Sequence, residues 1–242
     1  MNRRIKAQIK ELIKRGLVKF GYQIQRVPSA GSNHIYRANS IHLWNEHDQF
    51  NDLMRQISGF TLVDKVRCFM IYQYVQQVTN LPGDVAEVGV YKGGTARLLA
   101  KTFERTGKTV HLFDTFSGMP PSDANKDLHK EGDFSDTSLE SVKHYLSDCK
   151  NIRLYQGLFP TTAKPIEDKT FCLVHIDVDI YKSVMDCCKL FYLRLERGGI
   201  MIFDDYGFLS CPGAKMAVDE FFIDKPENPC YLPTGQCFVI KL

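Results

Sequence analysis

The chain has 242 residues, of which 44% are hydrophobic and 24% charged, and this composition predicts one folded domain rather than a disordered polymer. No apolar run reaches the roughly 18 residues of a membrane-spanning helix, and the Lys/Arg-rich start is unlike a secretory signal, so we expect a soluble, cytoplasmic protein. A formal net charge of +3 is too small for a duplex-binding surface, which makes nucleic acid a poor candidate partner.

Residues 1–60 are predicted to form a helical extension in two parts. Apolar residues recur at helical spacing from Met1 to Val27 among Lys and Arg residues, which indicates a basic amphipathic helix. Two interpretations stay open for it: peripheral contact with an anionic membrane, or packing on its own domain or on a second subunit of a homo-oligomer. Residues 28–60 lack a clear period and predict a surface segment that acts as a lid and shapes the acceptor pocket.

From residue 61 to residue 242 the chain alternates helix-like and strand-like segments. The predicted helices cover Thr61 to Val78 and begin near Thr95, Ser138, Ser183 and Ala214. The predicted strands are Val85–Val90, Thr109–Phe113, Ile152–Gln156, Cys172–Val178, Gly199–Phe203 and Cys237–Leu242. Short buried strands that alternate with helices predict an α/β, doubly wound, mostly parallel sheet. The last strand follows a turn and is expected to be an antiparallel edge strand, paired with a segment near Cys230.

The eight cysteines lie mostly inside apolar runs and are expected to be reduced, packed thiols. No Cys-x-x-Cys motif is present, and no histidine lies near Cys211, Cys230 or Cys237 at zinc-finger spacing. The spacing therefore disfavours a structural zinc site.

A glycine-rich turn follows the first predicted strand, in the segment from Glu87 to Thr95. Its glycines allow a ligand to approach the backbone, and the amides at the start of the next helix suit an anion. The Glu87 carboxylate suits a cation. Together these groups predict a site for a zwitterionic amino-acid moiety, although an ordinary strand-to-helix turn is the simpler alternative.

An acidic residue, Asp114, ends the second predicted strand, where it can accept hydrogen bonds from two ribose hydroxyls. Together with the Glu87 turn it indicates an adenosine joined to an amino acid, which is S-adenosylmethionine. Gln156 ends the third strand and is placed to border the adenine.

Four aspartates lie at the ends of two later strands: Asp177 and Asp179 at the end of one, and Asp204 and Asp205 at the end of the next. In a parallel sheet these carboxylates converge at one edge, and burying so much like charge is costly unless a cation or protons compensate it. Oxygen ligands favour Mg²⁺, or another divalent cation such as Mn²⁺ or Ca²⁺, over Zn²⁺. His175, on the same strand, is expected to be a core residue.

These motifs resemble the TylF/MycF/NovP-type O-methyltransferases, metal-dependent enzymes that methylate sugar hydroxyls and have the class I S-adenosylmethionine methyltransferase fold. The resemblance extends from about Thr61 to the C-terminus and depends on the Glu87–Gly94 turn, on Phe113–Pro120, on Asp177–Tyr181 and on Asp204–Tyr206.

The resemblance implies a role for each matching residue. Asp177, Asp204 and Asp205 resemble the metal ligands, and Asp179 resembles the catalytic base. The residues that fall in the cofactor-binding segments are Thr61, Glu87, Gly89, Tyr91, Thr95, Asp114 and Phe116. The implied reaction moves the methyl group of S-adenosylmethionine to one hydroxyl of a vicinal diol in a glycoside or glycan.

Two other functions are compatible with parts of this pattern. A catechol-type O-methyltransferase would share the fold and the metal site but take a small aromatic diol. A non-catalytic scaffold in glycan assembly would not require the carboxylate set, and the intact set disfavours it.

Overall fold

The computed structural model describes residues 43–242. Within these residues, seven strands form one sheet. The strands are β1 (Asp84–Val88), β2 (Val110–Asp114), β3 (Ile152–Gln156), β4 (Phe171–Ile176), β5 (Leu195–Phe203), β6 (Cys230–Tyr231) and β7 (Cys237–Ile240). Their order in the sheet is β3-β2-β1-β4-β5-β7-β6.

The pairing confirms the predicted doubly wound topology. β1 lies parallel to β2 and β4, β3 lies parallel to β2, and β5 lies parallel to β4. β7 pairs antiparallel with β5, and the short β6 pairs antiparallel with β7 at the edge. The strand order reverses between β1 and β4, which is where open α/β sheets bind their ligands.

Seven α-helices surround the sheet in the described part of the chain. They are α1 (Leu43–Glu46), α2 (Asp48–Ile57), α3 (Lys65–Val78), α4 (Gly94–Thr102), α5 (Leu139–Tyr145), α6 (Tyr181–Phe191) and α7 (Pro212–Phe222). A 3₁₀ turn spans Lys164–Ile166.

Two apolar clusters form the core. Phe50, Ile71 and Leu98 belong to one of them, and Phe191 and Val218 belong to the other. Every residue of β4 is buried, as expected of a central parallel strand covered on both faces. Because Phe50 lies on α2, the chain before Thr61 already contributes to the core. The assignment of residues 28–60 to a lid stays a prediction.

Local chemistry shortens several predicted elements. The helix predicted from Thr61 begins at Lys65, because the Asp64 side chain accepts hydrogen bonds from the amides of Val66 and Arg67 and caps it. The first strand ends at Val88 rather than Val90, because Gly89 turns the chain with a φ of +90°.

The basic helix predicted for Met1 to Val27 lies outside the described residues. Within residues 43–242 no helix is long and apolar enough to cross a bilayer. All eight cysteines are free thiols, and every one except Cys230 is buried, in agreement with the predicted packing role.

Candidate functional site

A cavity of about 300 Å³ opens at the C-terminal ends of the parallel strands. Its wall includes the residues after β1, β2 and β4, the Phe60–Val63 segment before α3, and part of the long connection between β2 and α5. This is the edge at which the sequence predicted a ligand.

The glycine turn after β1 forms one side of the cavity. Gly89 has no alternative at its position, because a Cβ atom there would lie 1.8 Å from the backbone oxygen of Asp177. Tyr91 adopts a left-handed φ of 52°, which is uncommon for a residue with a side chain. The turn therefore brings β1 and the end of β4 into direct backbone contact beneath the cavity.

Asp114 holds this turn in place. Its Oδ2 accepts hydrogen bonds from the amides of Val90 and Tyr91, at 2.7 and 2.9 Å, and its Oδ1 accepts one from the amide of Phe116 at 2.6 Å. A carboxylate has about four acceptor positions, so Asp114 keeps capacity for further donors such as ribose hydroxyls. The residue lines the cavity.

Glu87 lies beneath the cavity rather than in its wall. It is fully buried, and its Oε1 lies 2.9 Å from Nδ1 of His175, which is also fully buried. His175 Nε2 lies 3.5 Å from Oδ1 of Asp204 on the next strand. Burial disfavours the imidazolium form, but the carboxylates of Asp204 and Glu87 outweigh it and raise the pKa of His175. The predicted core position of His175 is confirmed, with two acidic partners.

Arg67 on α3 reaches the same buried carboxylate. Its Nη1 contacts Oδ2 of Asp204, and Gln236 donates a hydrogen bond to Oδ1 of Asp204 at 2.8 Å. Burial opposes ionisation of Asp204, yet His175 and Arg67 together hold the pKa of this carboxyl below its usual value. Asp204 is therefore an ionised group with positive neighbours.

Asp177, Asp204 and Asp205 form a carboxylate cluster at the ends of β4 and β5. One oxygen of each lies within 4.8 Å of the others. Burial, and then the charge of neighbouring carboxylates, raises the pKa of Asp177 and of Asp205 well above the ordinary value. The cluster can hold a divalent cation, since its donors are all oxygens and since a cation would offset the mutual repulsion.

Asp179 lies beside this cluster and faces the cavity. Its φ is 57°, and its amide donates a hydrogen bond of 3.0 Å to Oδ2 of Asp205. Its Oδ1 accepts a hydrogen bond from the thiol of Cys211 at 3.3 Å and lies 3.8 Å from Nε2 of His129. Burial raises the pKa of Asp179, and the charge of His129 opposes that shift.

Hydrogen bonds hold the connection between β2 and α5 to two other parts of the site, the start of α6 and the glycine turn. Oδ1 of the buried Asp127 accepts a hydrogen bond from the amide of Tyr181, the first residue of α6, at 2.8 Å. The Thr137 hydroxyl donates to the carbonyl oxygen of Tyr91 at 2.5 Å. These bonds place His129, which lies in this connection, against the cavity.

The structure thus brings most of the predicted site residues together. Those that line the cavity are Thr61, Gly89, Tyr91, Thr95, Asp114, Asp177, Asp179 and Asp205. Glu87 and Asp204 lie behind the wall as buried charges, Phe116 is packed in the core, and Gln156 is not among the lining residues.

Three functional candidates were absent from the sequence-based set: Arg67, His129 and Cys211. Arg67 lies on a predicted helix and His129 in a connection without a motif, so no local pattern marked either residue. Cys211 was considered only for zinc-finger spacing. Folding brings these three side chains to the aspartates from distant positions, and the sequence does not contain that information.

The chain is similar to several known O-methyltransferases. The profile of the family described as Macrocin-O-methyltransferase (TylF) matches residues 33–226. A Demethyldecarbamoylnovobiocin O-methyltransferase of Streptomyces niveus is 29% identical, and the match covers 68% of each chain. Mycinamicin III 3''-O-methyltransferase of Micromonospora griseorubida is 32% identical over 59% of this chain and 61% of its own length. The solved structure of the O-methyltransferase NovP has a TM-score of 0.66 at 26% identity and covers 75% of this chain and 82% of its own.

Proposed function

The chain belongs to the TylF family of macrocin O-methyltransferases and is an S-adenosylmethionine-dependent O-methyltransferase; from this premise we propose that it methylates a sugar hydroxyl in a divalent-metal-dependent reaction. The acceptor we propose is one of two adjacent hydroxyls of a glycoside or glycan. The name of one relative supports a glycosidic acceptor, because it is an O-methyltransferase of a rhamnosyl-tetracenomycin from Streptomyces olivaceus, 29% identical over 56% of this chain.

The observation that carries this proposal is the carboxylate cluster at the C-terminal ends of β4 and β5. Asp177, Asp204 and Asp205 offer oxygens within 4.8 Å of one another, next to the cavity. We propose that these three residues hold Mg²⁺ or another hard divalent cation. When bound, the cation would lower the pKa of an acceptor hydroxyl and offer places for two adjacent oxygens.

The pairing of Asp204 supports this assignment. Arg67, His175 and Gln236 already contact Asp204, so this carboxylate stays ionised and fixed in orientation. The pKa values of Asp177 and Asp205 are raised, because the positive groups near these two carboxyls do not offset burial and the neighbouring carboxylates. A cation would convert both to carboxylates at neutral pH.

We propose that S-adenosylmethionine occupies the part of the cavity between the glycine turn and Asp114, with its methyl group as the transferred group. Gly89 and Tyr91 supply close backbone approach, Thr95 lies at the start of α4, and Asp114 has the remaining acceptor capacity for ribose. Thr61 also lines the cavity, next to Gly94 at the start of α4.

We propose Asp179 as the general base. A sugar hydroxyl has a pKa far above 7, so its proton must be taken up as the oxygen attacks. Asp179 faces the cavity, and its backbone amide donates a hydrogen bond to the Asp205 carboxylate. This bond sets the Asp179 carboxylate beside the proposed cation site. Its raised pKa makes it a stronger base than an exposed aspartate.

Calorimetric titrations of the full chain test the two binding steps separately. S-adenosylmethionine is titrated into metal-stripped wild type and into an Asp204→Ala/Asp205→Ala variant, and Mg²⁺ is titrated into both. We expect the cofactor to bind both proteins and Mg²⁺ to bind only wild type. If Mg²⁺ binds the double variant with unchanged affinity, the carboxylate cluster is not the metal site.

Turnover on a panel of glycosides and on a catechol then identifies the acceptor class. We expect transfer to glycosides that carry adjacent hydroxyls, and a lower rate when one of the two is removed. Preferential methylation of the catechol would replace the sugar proposal with a small-molecule one. Cofactor binding without transfer to any acceptor in the panel would favour the scaffold alternative.

A further inference from the structure

A second group of potential metal ligands lies beside the carboxylate cluster. It consists of His129, Asp179 and Cys211, and one ligand atom of each residue lies within 4.8 Å of the others. The closest pairs are Cys211 Sγ to Asp179 Oδ1 at 3.3 Å and His129 Nε2 to Asp179 Oδ1 at 3.8 Å. We refer to these three residues as the mixed-donor site.

These separations are close to those of a tetrahedral zinc centre. Bond lengths of about 2.0 Å for oxygen and nitrogen and about 2.3 Å for sulfur place neighbouring ligand atoms about 3.3 to 3.6 Å apart. Zinc ligation would draw His129 Nε2 closer to Asp179 Oδ1 than the observed 3.8 Å. Three protein ligands would leave a fourth position open toward the cavity, which all three residues line.

The orientation of His129 gives independent support for a ligand. Its Nδ1 lies 3.1 Å from Oδ2 of Asp133, and its Nε2 faces Asp179. A carboxylate on Nδ1 holds the ring proton on that nitrogen and leaves the Nε2 lone pair for a metal, as in carboxylate–histidine–zinc arrangements. Asp133 would then orient and strengthen the nitrogen ligand.

The donor types distinguish this site from its neighbour. A thiolate, an imidazole and a carboxylate suit borderline or soft cations such as Zn²⁺, Co²⁺ and Cd²⁺, whereas the three aspartates suit Mg²⁺. Chemistry rather than charge therefore decides which cation occupies which site.

We propose that His129, Asp179 and Cys211 form an inhibitory binding site for a thiophilic divalent cation of the Zn²⁺ type. The site itself follows from the three side chains. The inhibition rests on the proposed role of Asp179 as base, because a carboxylate that ligates Zn²⁺ cannot take the acceptor proton.

Cobalt spectroscopy of the full chain tests the site without measuring turnover. Co²⁺ is titrated in the presence of saturating Mg²⁺, and the sulfur-to-cobalt charge-transfer band in the near ultraviolet reports thiolate ligation. We expect the band in wild type, its loss in Cys211→Ser and Cys211→Ala, and at least about 100-fold weaker Co²⁺ binding in His129→Gln. Binding of S-adenosylmethionine by each variant shows that it is folded.

Cys230→Ser is the matched control, because Cys230 is the exposed thiol and belongs neither to the wall of the cavity nor to the mixed-donor site. This variant should keep the band. Absence of the band in wild type, its persistence in both Cys211 variants, or its loss in Cys230→Ser would each overturn the site.

Zinc inhibition is measured next, with each variant compared to its own activity without zinc. We expect Cys211→Ser to need at least about 10-fold more Zn²⁺ for half inhibition than wild type. If the cobalt band depends on Cys211 but Zn²⁺ does not inhibit wild type, the inhibitory consequence is wrong while the binding site stands. If wild type does not bind S-adenosylmethionine, the proposed function is contradicted instead.

Discussion

At the scale of single residues, the site is a balance of buried charges. Four aspartates lie at one edge of the sheet, and the residues that contact or approach them carry compensating charge or donate hydrogen bonds. Arg67 and His175 face Asp204, whereas His129 and the Cys211 thiol face Asp179. Asp177 and Asp205 are left with raised pKa values. This unequal distribution keeps Asp204 ionised and fixed in orientation for the proposed cation, whereas Asp177 and Asp205 are the carboxyls that a cation would compensate.

Replacing Asp179 by asparagine tests its role as base. We expect Asp179→Asn to bind S-adenosylmethionine as wild type does and to lose turnover by about 10²- to 10⁴-fold, because the amide cannot accept the hydroxyl proton. Calorimetry and initial rates give the two quantities. Asp224→Asn, at an exposed carboxylate, is the control and should keep its rate. A rate of Asp179→Asn within a few-fold of wild type would contradict the assignment.

Removing Arg67 should expose the cost of a buried, uncompensated carboxylate. The side chain of Asp204 is fully buried and that of Arg67 is only 12% exposed. We expect Arg67→Met to lower the free energy of unfolding by about 3 kcal/mol, measured by urea denaturation. Arg55→Met breaks an exposed pair with Asp52 and should cost less than about 1 kcal/mol. Equal losses in the two variants would mean that Arg67 does not compensate Asp204.

At the scale of elements, the ends of parallel strands do most of the positioning. β1 and β4 are neighbours, and the turns that follow them touch at Gly89 and Asp177. The turn after β4 also leads into α6, whose first amide is capped by Asp127 from the β2–α5 connection. The cofactor turn and the acidic turn are therefore joined by a direct backbone contact, and the side chains of Asp127 and Thr137 join the connection to the backbone of both.

A matched pair of glycine substitutions measures how much the backbone contact matters. Gly89 and Gly107 both have positive φ values, of +90° and +77°, but a Cβ at Gly107 meets nothing within 4 Å. Gly107→Ala should therefore report only backbone strain of about 1 kcal/mol. Gly89→Ala adds a collision with the Asp177 backbone, and we expect a larger loss of stability and at least about 10-fold weaker cofactor binding. Similar results for the two variants, by urea denaturation and calorimetry, would rule out the close contact.

At the scale of the whole molecule, the fold places its polar chemistry where the two apolar clusters end. β1, β2 and β4 are almost entirely buried, and the dense set of charges lies at the C-terminal ends of the parallel strands, next to the cavity. Stability and function are therefore linked through the carboxylate cluster.

This linkage predicts a pH dependence of stability. The folded-state pKa values of Asp177 and Asp205 are raised, so in the folded state these carboxyls retain protons that the unfolded chain has released. Their contribution to stability is full below the usual carboxyl pKa and is lost as the pH rises through the folded-state values. Without a divalent cation, Asp205→Asn should therefore gain stability relative to wild type between about pH 5 and about pH 8.

Urea denaturation at the two pH values measures this difference, with and without Mg²⁺. We expect Mg²⁺ to stabilise wild type at the higher pH and to have little effect on Asp205→Asn. The control Asp224→Asn should follow wild type throughout. If the stability of wild type and of Asp205→Asn changes with pH in the same way, the folded-state pKa of Asp205 is not raised.

The sequence alone determined the architecture and the acidic edge. Strand and helix periods are local, and parallel strands have a known relation between order and binding edge, so Asp177, Asp179, Asp204 and Asp205 were placed together before any coordinates. The family resemblance assigned their roles, and those roles stay proposals. The sequence does not predict the exact ends of two elements: Gly89 ends β1 earlier than its apolar pattern does, and the Asp64 cap starts α3 later.

Only the tertiary structure decided which charges compensate which. Arg67 and Asp204 are 137 positions apart, and no periodic pattern relates them. The Cys211 thiol was unremarkable by its spacing to histidines, yet folding brings it to Asp179 and within ligand distance of His129. Compensation of buried charge depends on side-chain approach across elements, which is non-local, whereas strand and helix formation are read from neighbouring residues.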